Sequence, residues 1–248
     1  MKSFGLTDKG KVRAENQDCF LLELCPDQNC LIASLCDGMG GASAGEVASA
    51  LCNKTFVGKV FEKLCACKGK RPNYRQILQS SCVETNGVVY EYSRFSEEFH
   101  GMGTTLVGGV IKDNGNGYII NVGDSRAYLL QPKKDVIRQI SQDHSLVAEL
   151  VRFGAITPEE ARDHPRKNVI TRALGTEAET DPDFFSFRLG FGDMLLLCSD
   201  GLSNEIRDEE MLAESKEHGD PEALCRRLME LALERGAKDN VTVVVAAR

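Results

Sequence analysis

Leu31-Ile32-Ala33-Ser34-Leu35-Cys36-Asp37-Gly38 is an apolar run that ends on an aspartate and a glycine. The chain repeats the arrangement in Met194-Leu195-Leu196-Leu197-Cys198-Ser199-Asp200-Gly201. Apolar runs of this length, bounded by turn residues, read as strands covered on both faces. Two more aspartates hold comparable places: Asp124 follows Ile119-Ile120-Asn121-Val122-Gly123, and Asp239 precedes the strand that starts at Val241. Four carboxylates thus sit where an apolar strand meets the edge of a sheet. If the strands are neighbours, the carboxylates converge into an all-oxygen cluster, which selects Mg²⁺ or Mn²⁺ over zinc. The same Asp-Gly dipeptide is a common hairpin signal, because both residues tolerate positive φ. Neither copy is followed by a matching strand, which weakens the hairpin reading. On spacing alone both readings stand.

Around these runs the pattern predicts further strands over residues 4–7, 19–24, 104–111, 118–122, 127–130, 136–140, 184–188 and 241–246, with a hairpin turn at Gly115-Asn116-Gly117. Ala48, Cys52, Phe56 and Val60 recur at every fourth position and predict a helix over 45–64. A second helix carries Leu78, Cys82, Val89 and Tyr92 on one side. Two more are predicted at 208–215 and Pro221–Glu234. Between residues 145 and 183 the strands are interrupted: a helix over 146–153 stops at Gly154, and Thr157-Pro158-Glu159-Glu160 has the cap, proline and glutamate of a helix start. The expected fold is α+β, a four-layer α-β-β-α sandwich in which two antiparallel sheets lie face to face with helices on the outer faces. Residues 1–248 read as one domain with an inserted flap at about 145–183.

Composition narrows the function. Of 248 residues, 42% are hydrophobic and 27% charged, which excludes a disordered chain. The net charge of -7 argues against a general binder of nucleic acid or acidic lipid. The basic break Lys68-Gly69-Lys70-Arg71 reads as a solvated loop. No segment reaches the roughly 18 apolar residues of a membrane helix, and no signal-peptide pattern opens the chain, so a cytoplasmic protein is expected. The ten cysteines form no C-x-x-C pair, and no histidine neighbours Cys65-Ala66-Cys67 to finish a zinc site. They are expected to be reduced and mostly buried thiols.

The ordered motifs resemble a family. Arg13-Ala14-Glu15-Asn16-Gln17-Asp18, then Cys36-Asp37-Gly38-Met39-Gly40-Gly41 and Ala44-Gly45-Glu46, are similar to the opening of the metal-dependent Ser/Thr protein phosphatases of type 2C, bacterial branch. The likeness continues through Gly101-Met102-Gly103-Thr104-Thr105, Asn121-Val122-Gly123-Asp124-Ser125-Arg126 and Gln142-Asp143-His144-Ser145. It passes through Ile170-Thr171-Arg172-Ala173-Leu174-Gly175 and closes with Cys198-Ser199-Asp200-Gly201-Leu202 and Asp239-Asn240-Val241-Thr242. Each motif alone is weak; the set, in family order over nearly the whole chain, is specific.

The resemblance implies two Mn²⁺ or Mg²⁺ ions bridged by Asp37, with the Gly38 carbonyl on one and Asp200 and Asp239 on the other. Asp124 matches a third, weaker metal position, Asp18 an acidic residue holding metal-bound waters from outside, and Arg13 the grip on the substrate phosphate. It implies hydrolysis of phosphoserine and phosphothreonine by attack of a metal-bridging hydroxide. The implied partners are phosphorylated proteins, substrates of a Ser/Thr kinase, with no nucleic acid and no membrane, and a monomer is expected. His144 and His164 read as structural. A departure stands at Ala42, where many bacterial members carry a histidine suited to general-acid work; the proton donor stays open. Two rivals remain: a phosphoprotein-binding module without strong catalysis, and a two-metal hydrolase of another phosphoester.

Overall fold

The computed structural model describes residues 1–41, 44–67 and 70–248. One sheet holds β1 (Lys2–Asp8), β11 (Val241–Ala247), β10 (Met194–Cys198), β7 (Arg126–Gln131) and β8 (Val136–Gln139), in that spatial order. The other holds β2 (Asp18–Cys25), β3 (Cys30–Met39), β5 (Leu106–Lys112), β6 (Asn116–Val122) and β9 (Asp183–Arg188), with the short β4 (Gly103–Thr104) paired to the end of β3. Every pairing is antiparallel.

The apolar runs are explained by burial on both faces. Leu31, Ala33 and Leu35 of β3 meet Leu195 and Leu197 of β10 and Val244 and Ala246 of β11 between the sheets. Their alternates Cys30, Ile32 and Cys36 face α1 (Ala44–Ala66), which with α2 (Tyr74–Ser93) covers that sheet. On the far side Leu196, Cys198, Val243 and Val245 pack beneath α5 (Asp200–Ser203), α6 (Asp208–Glu217) and α7 (Pro221–Glu234). A period-2 side-chain alternation with both sides dry yields an unbroken apolar sequence. Between β8 and β9 lie α3 (Leu146–Arg152) and α4 (Pro158–Arg162), the latter started by the predicted capping box at Thr157 and Glu160. The expected α-β-β-α sandwich is the observed one.

Several local expectations shift. β3 does not stop before Asp37 but continues to Met39, because β4 supplies partners at Gly38↔Thr104 and Met39↔Gly103. The predicted strand over 104–111 breaks at Thr105, whose backbone turns aside to Asp37. The hairpin turn precedes Gly115-Asn116-Gly117: Gly115 N–H closes onto the Lys112 carbonyl, and β6 already begins at Asn116. Tyr92 is not on the buried side of α2; it is 40% exposed, stacks with Phe95 and packs tilted against Phe99. The four-residue α5 went unpredicted, being too short to show a period.

All ten cysteines are free, and burial raises the thiol pKa of Cys36, Cys82 and Cys198. Among the described residues no helix is long and apolar enough to cross a membrane.

Candidate metal and phosphate site

Asp37 lies directly opposite Asp18 in the β2–β3 ladder. Its backbone is held from both sides: its N–H donates to Thr105 Oγ1 at 2.9 Å, and its carbonyl accepts from Thr105 N–H and Thr104 Oγ1, each at 2.9 Å. Gly38 follows because nothing larger fits. A Cβ there would drive into the Gly45 carbonyl at the start of α1, and one at Gly201 would drive into the Asn240 carbonyl. Neither glycine is left-handed. The Asp-Gly pairs therefore mark close backbone approach, and the hairpin reading fails on its own physical premise.

Asp200 is the first residue of α5, and Asn204 Nδ2 donates to its Oδ2 at 3.1 Å. Asp124 follows a turn pinned by His144, whose ring Nδ1 accepts from Gly123 N–H at 3.1 Å while the His144 backbone N–H donates to the Gly123 carbonyl at 3.0 Å. With Nδ1 accepting, Nε2 carries the proton toward Asp183 Oδ2 at 3.3 Å, and burial lowers the imidazole pKa. His144 thus supports the turn as expected. Asp239 lies in the turn before β11, where its Oδ2 accepts from Arg13 Nη2 at 2.7 Å. Arg13 pairs with this carboxylate rather than with Glu15 nearby in sequence.

A cavity of about 240 Å³ is bounded by Arg13, Asp37, Gly38, Asp124, Asp200 and Asp239. The sequence candidates converge there, all but Asp18. That residue is 7% exposed and stands behind the cavity, its Oδ2 accepting from Ser199 Oγ at 2.7 Å and Thr242 Oγ1 at 2.6 Å. It joins the ends of the two sheets, and its Oδ1 is buried without a hydrogen-bond partner.

The electrostatics follow from crowding. Burial first, then Asp18, Asp200, Asp124 and Asp239, push the Asp37 carboxyl well above the usual range. Burial likewise lifts Asp124 to about 8, Asp18 to about 7 and Asp200 to about 6, with neighbouring carboxylates adding to each. Among the described residues no three His, Cys, Asp or Glu side chains are gathered into a finished metal cage. The donor set still fits a hard divalent ion: it is all oxygen, costly to ionise together, and backed by the unpartnered Asp18 Oδ1.

Sequence reading named Thr104, Thr105, Ser199, Asn240 and Thr242 only as parts of motifs. The structure shows them holding the carboxylates and the segment that bears Arg13. Asp143 also acquires a task, since its carboxylate takes the Arg126 guanidinium at 2.7 Å. Asn168 and Ile170, from the segment between α4 and β9, line the same cavity; Ile170 entered the sequence reading only as part of a motif, and no sequence signal marks Asn168. Ala42 lies outside the described residues.

Known proteins are similar to this chain in sequence and fold. The family model described as Protein phosphatase 2C matches residues 10–238. The serine/threonine phosphatase Stp of Listeria innocua serovar 6a is 37% identical, over 98% of this chain and 94% of that protein. The crystal structure of serine/threonine phosphatase Stp1 from Staphylococcus aureus superposes with a TM-score of 0.86 at 38% identity, covering 100% of this chain and 94% of that one. The PstP catalytic domain in complex with two manganese ions gives a TM-score of 0.79 at 35% identity, over 98% of this chain and 96% of that one. With a family match over most of its length and relatives this similar end to end, the chain belongs to the bacterial branch of the protein phosphatase 2C family.

Proposed function

We propose that this phosphoprotein phosphatase removes phosphate from phosphoserine and phosphothreonine in proteins with the help of two Mn²⁺ or Mg²⁺ ions. The observation that carries the reading is the convergence of Asp37, Asp124, Asp200 and Asp239 with Arg13 around one cavity. Asp37, the Gly38 carbonyl, Asp200 and Asp239 would hold the two ions, and Asp124 a third, weaker one. The manganese ions of the similar PstP structure support that choice. When bound, such ions supply a water of lowered pKa and neutralise charge on the phosphoryl oxygens.

The remaining work falls to the chain itself. Arg13 reaches the cavity with a guanidinium whose planar fork can give two parallel hydrogen bonds to one phosphate. Its pairing with Asp239 keeps it at the rim where substrate arrives. Asp18, fixed by Ser199 and Thr242 through Oδ2, keeps Oδ1 as a buried acceptor that would take a hydrogen bond from water held at the site. The segment 145–183 serves as a flap beside the site, and residues 1–248 act as one cytoplasmic, monomeric catalytic domain. Its substrates would be products of a Ser/Thr kinase.

The test is phosphate release from phosphoserine and phosphothreonine peptides after exhaustive chelation, then with each cation restored. Activity should vanish on chelation and return best with Mn²⁺, less with Mg²⁺, and not with Ca²⁺, which prefers more ligands at longer distances. Full activity after chelation would falsify the metal reading.

A further inference from the structure

Arg13 sits in the segment 9–17, which belongs to no strand and no helix. Three backbone groups of that segment end on one side chain, Asn240. Its Nδ2 donates to the Lys9 carbonyl at 2.9 Å and to the Glu15 carbonyl at 2.8 Å, and its Oδ1 accepts from Gln17 N–H at 2.8 Å. These anchors bracket Arg13 on both sides. Asn240 is itself held in place: it is 6% exposed, and its N–H donates to Asp239 Oδ1 at 2.9 Å.

Only an amide offers two donors and an acceptor on one short planar group. The Arg13 side chain is 55% exposed, and Asp239 is its ion-pair partner. Where its guanidinium points is therefore set by that ion pair together with the placement of the backbone of segment 9–17. A misplacement of about 1 Å in a phosphate clamp costs much of its value.

We propose that Asn240 is a positioning residue for Arg13. It holds segment 9–17 in the register that brings the guanidinium to the phosphate, and it ties that grip to the turn bearing Asp239. The inference rests on the reading of Arg13 as the phosphate contact.

The experiment compares Asn240→Ala, Arg13→Ala and the double variant in full-length protein at saturating Mn²⁺. It reads the KM for a phosphopeptide, the inhibition constant of inorganic phosphate, and phosphate affinity by calorimetry. Each single variant should weaken phosphate binding about tenfold, the loss of one charge-assisted contact. The double variant should be no weaker than Arg13→Ala, because both remove the same interaction. Mn²⁺ affinity, titrated without substrate, should stay within about threefold of wild type, since the Asn240 backbone bond to Asp239 is retained. Asn240→Asp is the second probe: it keeps size and the acceptor for Gln17 N–H but sets an oxygen against two carbonyls, and should give the same tenfold loss. Unchanged phosphate binding in both Asn240 variants, or a double variant weaker by the product of the singles, overturns the positioning role. Unchanged phosphate binding in Arg13→Ala instead overturns the assignment of Arg13 beneath it.

Discussion

Asp37-Gly38 and Asp200-Gly201 are the same dipeptide at the end of an apolar strand, one in each sheet. Both glycines are there because a neighbouring carbonyl, of Gly45 or of Asn240, leaves no space for a side chain. The aspartates nevertheless differ. Asp37 stays within β3, its backbone clasped by Thr104 and Thr105, and its carboxylate faces four others. Asp200 starts a helix, takes a hydrogen bond from Asn204, and is eased further by Arg126 and Lys167. One short sequence thus builds the pivot of the charge cluster in one sheet and a partly screened flank in the other. The partners, not the dipeptide, decide which.

The largest expected difference is in turnover. Removing one preorganised electrostatic contact costs about 10²–10³ in kcat, and Asp37→Asn should lose at least that without recovery at high Mn²⁺. Asp200→Asn should recover part of its activity as Mn²⁺ is raised. Titrating kcat against Mn²⁺ for both variants decides the matter; parallel curves would mean that the two aspartates are equivalent.

A smaller effect lies in the supports. Thr105→Val keeps the shape but takes away the oxygen that receives the Asp37 N–H and meets Ser125 Oγ at 2.7 Å. Outer partners of metal ligands are worth about 10–100-fold in affinity, so Mn²⁺ binding should weaken by about tenfold. Asn204→Ala removes an exposed contact to Asp200 and should cost less than about threefold. Calorimetric Mn²⁺ titration separates the two, and equal losses would erase the contrast.

The smallest effect is on the stability of chelator-treated protein. A carboxyl whose pKa is raised by folding is more protonated folded than unfolded. Its penalty therefore grows as pH climbs from the unfolded value of about 4 through the folded value. Asp18, near 7, and Asp124, near 8, titrate above the range where neutral His144 would matter. The melting temperature should accordingly fall between pH 6.5 and 8.5. Asp37→Asn should raise it by about 2–4 °C at pH 8.5, the worth of about 1 kcal/mol in a chain this size, and flatten the slope. Asp200, near 6, is ionised across that window, so Asp200→Asn should raise the curve with less change of slope. Differential scanning in chelator shows which; a slope untouched by Asp37→Asn removes it from the centre of the repulsion.

The sequence by itself determined the elements and the layers. Unbroken apolar runs at 31–36 and Met194–Cys198 require cover on both faces, and the facing sheet together with outer helices, such as the one carrying Ala48, Cys52 and Phe56 over the first run, provides it. Ordered motifs also placed Asp37, Asp124, Asp200, Asp239 and Arg13 on the candidate site. Only the tertiary structure decided how they meet. Arg13 lies 226 residues from Asp239, and Thr242 lies 224 from Asp18. Local pattern reports a residue's neighbours along one helix or strand, whereas these bonds arise where the edges of two sheets come together. The extent of β3, the reason for Gly38, the grasp of Asn240 on segment 9–17 and the approach of Asn168 all belong to that junction. Hydrogen bonds and close packing between distant segments leave no period in the chain, so the junction became visible only once the sheets were stacked.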